Sequence, residues 1–324
     1  MHRPFTVACA VVWITSSGAA VAQTAAQWPT RPVKLIVGAP AGSTVDLLGR
    51  LVSSRLSETL GQQVVVENHP GAGGNLGAQM AARAPADGYT LVLVTAAHAI
   101  SVSLYHKLGY DLMKDLQPVS LLSLTSFVLV VNPSASVRSV QELIQLAKSK
   151  SGQLAYASAG NGSPPHLAGE LFSQMARVKL THVPYKGDAP AVTDLLSGQV
   201  PMMFLNIVLA APHIRSQKLR AVAVTGARRA AVLPDVPTVA ESGLPGYEVN
   251  GWWGMMVPRG TPQPIVRRLS GDLEKIMRLP EVKERLSKEG GEPMGSTPER
   301  FEAHLRSEID KWAPLVKASG ASVD

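Results

Sequence analysis

One pattern recurs along the chain and limits its fold more than any other. A short apolar run is followed by a loop of small residues and then by an amphipathic helix. It appears first as Val33-Lys34-Leu35-Ile36-Val37, the loop "GAPAGST" and a helix from about Val45, in which Leu47, Leu48, Leu51, Val52 and Leu56 share one face. It returns as Val64–Val66, the loop "ENHPGAGGN" and a helix from about Asn75. A third strand, Tyr89–Val94, leads into "TAAHAIS". Strands alternating with helices predict an α/β fold with mainly parallel sheets flanked by helices.

A second set begins at Phe127–Val131. Ser139–Lys150 reads as a helix and Leu154–Ser158 as a strand, followed by "AGNGSPP" and a helix through Met175 with Ser163 as its N-cap. Thr181–Tyr185 leads to "KGDAP" and a helix near Ala191–Ser197; Val200–Phe204, Leu219–Thr225 and Gly251–Pro258 are further strands. Two helices end the chain, the last with Ser296 and Glu299 at capping-box spacing. Crossings near Ser126 and Glu248 assign residues 28–126 and 248–324 to a discontinuous domain 1 and 127–247 to domain 2. Such a pair can close like a clamshell. Ligands of parallel α/β sheets sit beyond the carboxyl ends of the strands, which makes the interdomain cleft the expected site.

The chain's 324 residues suffice for two domains, and 45% hydrophobic with 17% charged residues describes a globular protein. Residues 1–22 read as an export signal: His2 and Arg3, an apolar Phe5–Ile14, then Ala20-Val21-Ala22 before the cleavage point. The single cysteine, Cys9, lies within it, so the mature chain has no thiol or disulfide chemistry. No later apolar run reaches the roughly 20 residues of a membrane span. The expectation is an unanchored, monomeric periplasmic protein. The net charge of +7 is dispersed in short pairs such as Arg228-Arg229, and aromatics are only 5%. Nucleic acid is therefore excluded as a partner.

Enzyme signatures are sparse. The nearest stretch to G-x-S-x-G, Tyr156–Gly160, lacks the first glycine, and neither Ser-x-x-Lys nor His-Glu-x-x-His occurs. His166 and Glu170 have helical spacing but make too small a set for a metal. No catalytic residue, metal or cofactor is expected. His98 and His182 lie near strand ends, where a cleft role is conceivable. "ENHPGAGGN" fails the dinucleotide spacing, because Leu76 stands where the third glycine belongs, and it lacks the Gly-Lys-Ser/Thr of a P-loop. What remains is general: glycines let backbone N–H groups approach an anion, and the next helix adds the positive end of its dipole. Gly42-Ser43-Thr44, Gly73-Gly74-Asn75, Gly160–Ser163 and Gly187-Asp188 could converge on a small carboxylate, with Lys186 the one basic residue among them.

The landmarks "GQQVVVENHPGAGGN", "ADGYTLVLVTAAHAI", "THVPYKGDAPAVTDLLSGQV", "LRAVAVTGARRAAVLPDVPTVAESGLPGYEV" and "GWWGMMVPRGTP" together resemble the extracytoplasmic receptors of tripartite tricarboxylate transporters, the Bug family. The resemblance covers essentially the whole mature chain. It implies a type II-like, two-domain periplasmic binding protein that closes on a small organic anion and hands it to a membrane permease. Carried over by position, the ligand-binding residues are Gly42, Ser43 and Thr44; Gly73, Gly74 and Asn75; Thr95 and His98; Ser158, Gly160 and Ser163; and Lys186 and Gly187. Three positions depart from the family pattern. Ser43 replaces a second glycine, Ala39 stands where an aromatic is common, and Leu205-Asn206 follows "MMF" where an aspartate is common. These changes imply a roomier pocket without the acid that an amino-acid ammonium would need. Two alternatives share the chain's features: a ligand sensor for a membrane signalling protein, and a secreted α/β hydrolase or isomerase using His98 or His182 as base.

Overall fold

The computed structural model describes residues 28–288 and 290–323; the expected export signal and Cys9 lie outside the described residues. In chain order the elements are β1 (Val33–Val37), α1 (Thr44–Leu60), β2 (Val64–Asn68), α2 (Asn75–Ala82), β3 (Thr90–Thr95), α3 (Ala96–Leu104), β4 (Leu116–Val131), α4 (Val140–Ser149), β5 (Ala155–Ser158), α5 (Pro164–Ala176) and β6 (Thr181–Pro184). Then follow α6 (Asp188–Ser197), β7 (Met202–Asn206), α7 (Ile207–Arg215), β8 (Arg220–Val224), β9 (Asn250–Pro258), α8 (Gln263–Arg278), α9 (Pro280–Lys288), β10 (Gly291–Pro293) and α10 (Pro298–Ser319).

The fold is α/β, as the strand–loop–helix pattern requires. The strands run β2-β1-β3-β9-β4-β7-β5-β6, with β8 and β10 also paired to β4. Pairing is parallel where the pattern recurs, among β1, β2 and β3 and among β5, β6 and β7. It is antiparallel around β4, because the chain leaves the first half of the sheet along β4 and returns to it along β9.

β4 starts at Leu116 rather than at Phe127. Its first part pairs with β9 and β10, and Phe127–Val131 pairs with β7 and β8. Pro118 and the hydroxyl residues that follow hide this strand from a pattern reading. Their hydroxyls are bonded out of sight of water: Ser120 Oγ donates to Ser296 O at 2.8 Å, Ser123 Oγ to Glu292 O at 3.0 Å and Thr125 Oγ1 to Gly290 O at 3.2 Å. The register shifts just after Pro118, where the missing N–H would otherwise break the ladder.

Ser163 caps α5 as expected, accepting His166 N–H. Thr297, not Ser296, caps α10 by accepting Arg300 N–H at 3.3 Å; the Ser296 hydroxyl instead accepts Leu121 N–H at 3.0 Å. The helices α3 and α7, absent from the pattern reading, follow β3 and β7 with Thr95 and Asn206 as caps.

Alternate residues of β1 and β3 feed two cores on opposite faces of the first half. Leu35, Val37 and Leu93 pack with α1 and α8, whereas Ile36, Val92 and Val94 pack with Trp252, Phe301 and Leu305. α10 spans both halves. Its Phe301 and Leu305 belong to the first half, while Trp312, Leu315 and Val316 join Phe127, Phe172 and Tyr247 in the second, together with Ile100 and Leu104 of α3. Between them, buried Glu308 accepts Trp252 Nε1–H at 3.0 Å, Trp312 Nε1–H at 2.9 Å and Lys311 Nζ–H at 2.6 Å. Burial would raise this carboxyl, but Lys311 and the two indoles outweigh it and hold the pKa below the usual glutamate value.

Candidate functional site

The carboxyl ends of β1, β2 and β3 open onto a cleft of about 370 Å³. Gly73, Gly74, Thr95 and His98 line it with Gly38, Ala39, Pro40, Val45, Pro70, Gly71 and Leu93. Gly42 and Ser43 follow Pro40 in the same loop, and Thr44 precedes Val45 in the first turn of α1. No charged side chain lines this cleft, so any anion there meets neutral donors and helix ends.

Glycine is required where the first two loops meet. A Cβ on Gly38 would stand 2.6 Å from Gly74 O and 2.7 Å from Gly74 Cα. Gly74 itself has φ +99°, and its own Cβ would meet His98 Cε1 at 2.9 Å. The first loop is braced by Asp46, whose carboxylate accepts Gly42 N–H at 2.8 Å, Arg50 Nε–H at 2.9 Å and Asn68 Nδ2–H at 2.9 Å. Burial would raise the Asp46 carboxyl, but these bonds and the Arg50 charge together lower its pKa to about 2. Ser43 caps α1 by accepting Asp46 N–H at 3.2 Å.

His98 sits at the floor of the cleft, 2% exposed. Its Nδ1 accepts Thr95 N–H at 2.9 Å, which places the proton of the neutral ring on Nε2. Burial lowers its pKa to about 4, against smaller raising effects from the Gly74 and Thr95 backbone, so the ring is neutral at ordinary pH. Nε2 is buried beside the Gly74 backbone and makes no hydrogen bond of good geometry. An N–H left without an acceptor in such a place is costly unless a ligand or water oxygen takes it. Asn75 plays a different part. Its Nδ2 donates to Ala72 O at 2.7 Å and Ser101 Oγ at 2.8 Å, and its Oδ1 accepts Tyr110 OH at 2.9 Å. The amide fixes the turn and offers nothing further to the cleft.

The second half contributes the other expected loops. Tyr185 N–H donates to Ser158 O at 3.0 Å and Gly187 N–H to Ala159 O at 3.2 Å, which brings the loops after β5 and β6 together. Their donors are largely engaged internally. Gly160 N–H goes to Ser158 Oγ at 3.1 Å, and Ser163 Oγ donates to Gly160 O at 2.7 Å. Lys186 is exposed. Asp188 heads α6, and burial raises its carboxyl pKa. The loop after β5 touches the far end of α3, where Leu104 meets Gly162: a Cβ there would be 2.2 Å from Leu104 Cδ2. The expected residues therefore form two clusters, one around the lined cleft and one in the loops after β5 and β6. Sequence reasoning missed Gly38, Asn68 and Tyr110; only the glycine directly after β1 carried a visible hint.

A second cavity of about 420 Å³ lies at the crossing strands, between the segments 226–232 and 290–293, and the Arg228–Glu292 ion pair spans it. Among the described residues no group of three or more His, Cys, Asp or Glu is placed to hold a metal ion. Among them, too, no helix is long and apolar enough to cross a membrane.

A curled mixed sheet with small-residue loops at the facing strand ends is the architecture of a periplasmic solute-binding protein. The profile of the tripartite tricarboxylate transporter family receptor matches residues 48–321, and the chain belongs to that family. Protein BugT of Bordetella pertussis is 36% identical over 314 residues, covering 96% of each chain. Among solved structures, a protein of R. palustris with adipate is 38% identical, with a TM-score of 0.80 over 91% of this chain and 99% of that one. MatC from Rhodopseudomonas palustris, with bound malate, is 34% identical, with a TM-score of 0.76 over 89% of this chain and all of the other.

Proposed function

We propose that this chain is a periplasmic receptor that captures a small organic dicarboxylate between its two halves and delivers it to the membrane permease of a tripartite transporter. The observation that carries the reading is the cleft itself: glycine loops before α1 and α2, the Thr95-capped start of α3, no lining charge, and the buried Nε2 of His98. The relatives solved with adipate and malate point to the same ligand class. Residues 28–126 with 248–324 form one closing body and 127–247 the other, with β4 and β9 as the crossing strands and α10 bridging both. Directly after Phe204, where the family commonly has an aspartate, this chain has the apolar, fully buried Leu205, and the Asn206 that follows is neutral with its Oδ1 occupied by Val208 N–H at 3.0 Å. Simple dicarboxylates without an ammonium group are therefore favoured over aspartate and glutamate. Binding without chemistry is favoured because Ser158, the serine that meets a histidine ring nitrogen among the described residues, is fully buried.

Calorimetry and thermal shift on the mature chain test this with adipate, malate, citrate and aspartate. A ligand at a hundred times its Kd should add about 2.7 kcal/mol of stability. A chain that ignores every carboxylate, or one that turns a bound acid over, would refute the proposal.

A further inference from the structure

The loop joining β5 to α5 turns on Gly160 and Gly162, with φ of +130° and +70°. In an anion-binding loop these N–H groups would face a ligand. Here Gly162 N–H donates to His166 Nδ1 at 3.0 Å, and Gly160 N–H donates to Ser158 Oγ. Ser158 Oγ is 2.6 Å from His182 Nε2. The rings of His166 and His182 stack with centroids 3.8 Å apart and planes 14° from parallel. The loop is thus held from behind by a pair of imidazoles contributed by α5 and β6. The ionisable groups facing the pair are Glu170 of α5 and Tyr156 of β5. Glu170 Oε1 is 3.8 Å from His166 Nε2 and accepts Tyr156 OH at 2.7 Å.

The geometry fixes the chemistry of His166. Nδ1 accepts an N–H and so must carry a lone pair, which leaves the ring proton on Nε2, toward Glu170. Protonation at Nδ1 would set two N–H groups against each other. Burial lowers the pKa of both histidines to about 4; the neighbouring His166 lowers His182 further, and Glu170 opposes this. Leu104, which packs against Gly162, ends α3, the helix capped by Thr95 and carrying His98 in its first turn.

We propose that His166 and His182 are positioning residues for ligand capture: as a neutral stacked pair they set the Ser158–Ser163 loop, and protonation of His166 releases Gly162 and weakens carboxylate binding. This rests on the reading of the cleft as a carboxylate site.

The test uses His166→Asn and His166→Leu in the mature chain. Asn retains an acceptor near the position of Nδ1 without a titrating ring, whereas Leu fills space and accepts nothing. Amide hydrogen exchange at Gly162 needs no ligand, and adipate affinity is read by calorimetry from pH 7 to pH 4. His166→Leu should expose the Gly162 amide and weaken adipate about tenfold or more, the loss of one well-placed hydrogen bond. His166→Asn should keep both. The affinity of the wild type relative to His166→Asn, a ratio in which protonation of adipate cancels, should fall about twofold by pH 4, where a group titrating near 4 is half protonated. If His166→Leu does not fold, that ratio decides. Equal Gly162 protection in wild type and His166→Leu, or a ratio flat to pH 4, would overturn the proposal. A wild type that binds no carboxylate would instead overturn the receptor reading, and the exchange data would still decide the role of the loop.

Discussion

Gly38→Ala is the sharpest perturbation of the cleft, because it adds one methyl group where only backbone can yield. Gly38 is not among the positive-φ residues, so alanine suits its backbone and the effect is purely one of contact. The new Cβ would lie 2.6, 2.7 and 3.1 Å from O, Cα and C of Gly74. Carbon atoms pack best at about 3.5–4.0 Å, so the two loops must separate by nearly that deficit, about 1 Å. Gly74 cannot retreat freely, since the His98 ring lies directly behind it. Overpacking of this kind costs about 1–3 kcal/mol, which should lower Tm by a few degrees in a chain of this size. The larger consequence is for binding. Displacing Gly73 and Gly74 relative to His98 spoils a preorganised donor set, and adipate affinity should fall about 10- to 100-fold, equivalent to about 1.4–2.8 kcal/mol. Thermal denaturation and calorimetry on the same sample measure both. An alanine variant with unchanged Tm and an adipate Kd within about twofold of wild type would refute the tight meeting of the two loops.

Asp46 titrates below its unfolded value, so its stabilising contribution is complete above about pH 4 and is lost as pH falls through about 2. Asp46→Asn should flatten that part of the urea stability profile and loosen the Gly42 loop. Glu308→Ala leaves two buried indole N–H groups and Lys311 without their acceptor and should cost about 2–4 kcal/mol, with a change in tryptophan emission; Glu308→Gln, which still accepts, should lose less. Leu104→Ala should cost about 2–5 kcal/mol in chemical denaturation and weaken ligand binding from outside the cleft, because Leu104 is the seat of the Gly162 loop.

Much of the architecture was legible. The alternation of apolar runs, small-residue loops and helices implied α/β, and the positions of β1, β2, β3, β5 and β9 follow directly from it. The first part of β4 was hidden because its serines look like loop residues; their hydroxyls are satisfied by segments more than 160 residues away, which no local pattern reveals. Ser296 has the spacing of a cap for the same kind of reason, since its partner Leu121 is remote in sequence. Within the site, Gly73, Gly74 and His98, suggested by small-residue loops and strand ends, lie together with Thr95, which only the family resemblance pointed to. Asn75 and the donors of the Gly160–Gly162 loop looked available because a sequence lists donors but not their acceptors.

The sequence by itself determined the fold class, the family and the loops that border the cleft, because hydrophobic period and small-residue turns act over short stretches of chain. Only the tertiary structure decided which donors stay free. Hydrogen bonds such as Asp46 to Asn68, Asn75 to Tyr110 and His182 to Ser158 join segments that are distant in sequence, and a donor already bonded to such a neighbour has little left to give a ligand.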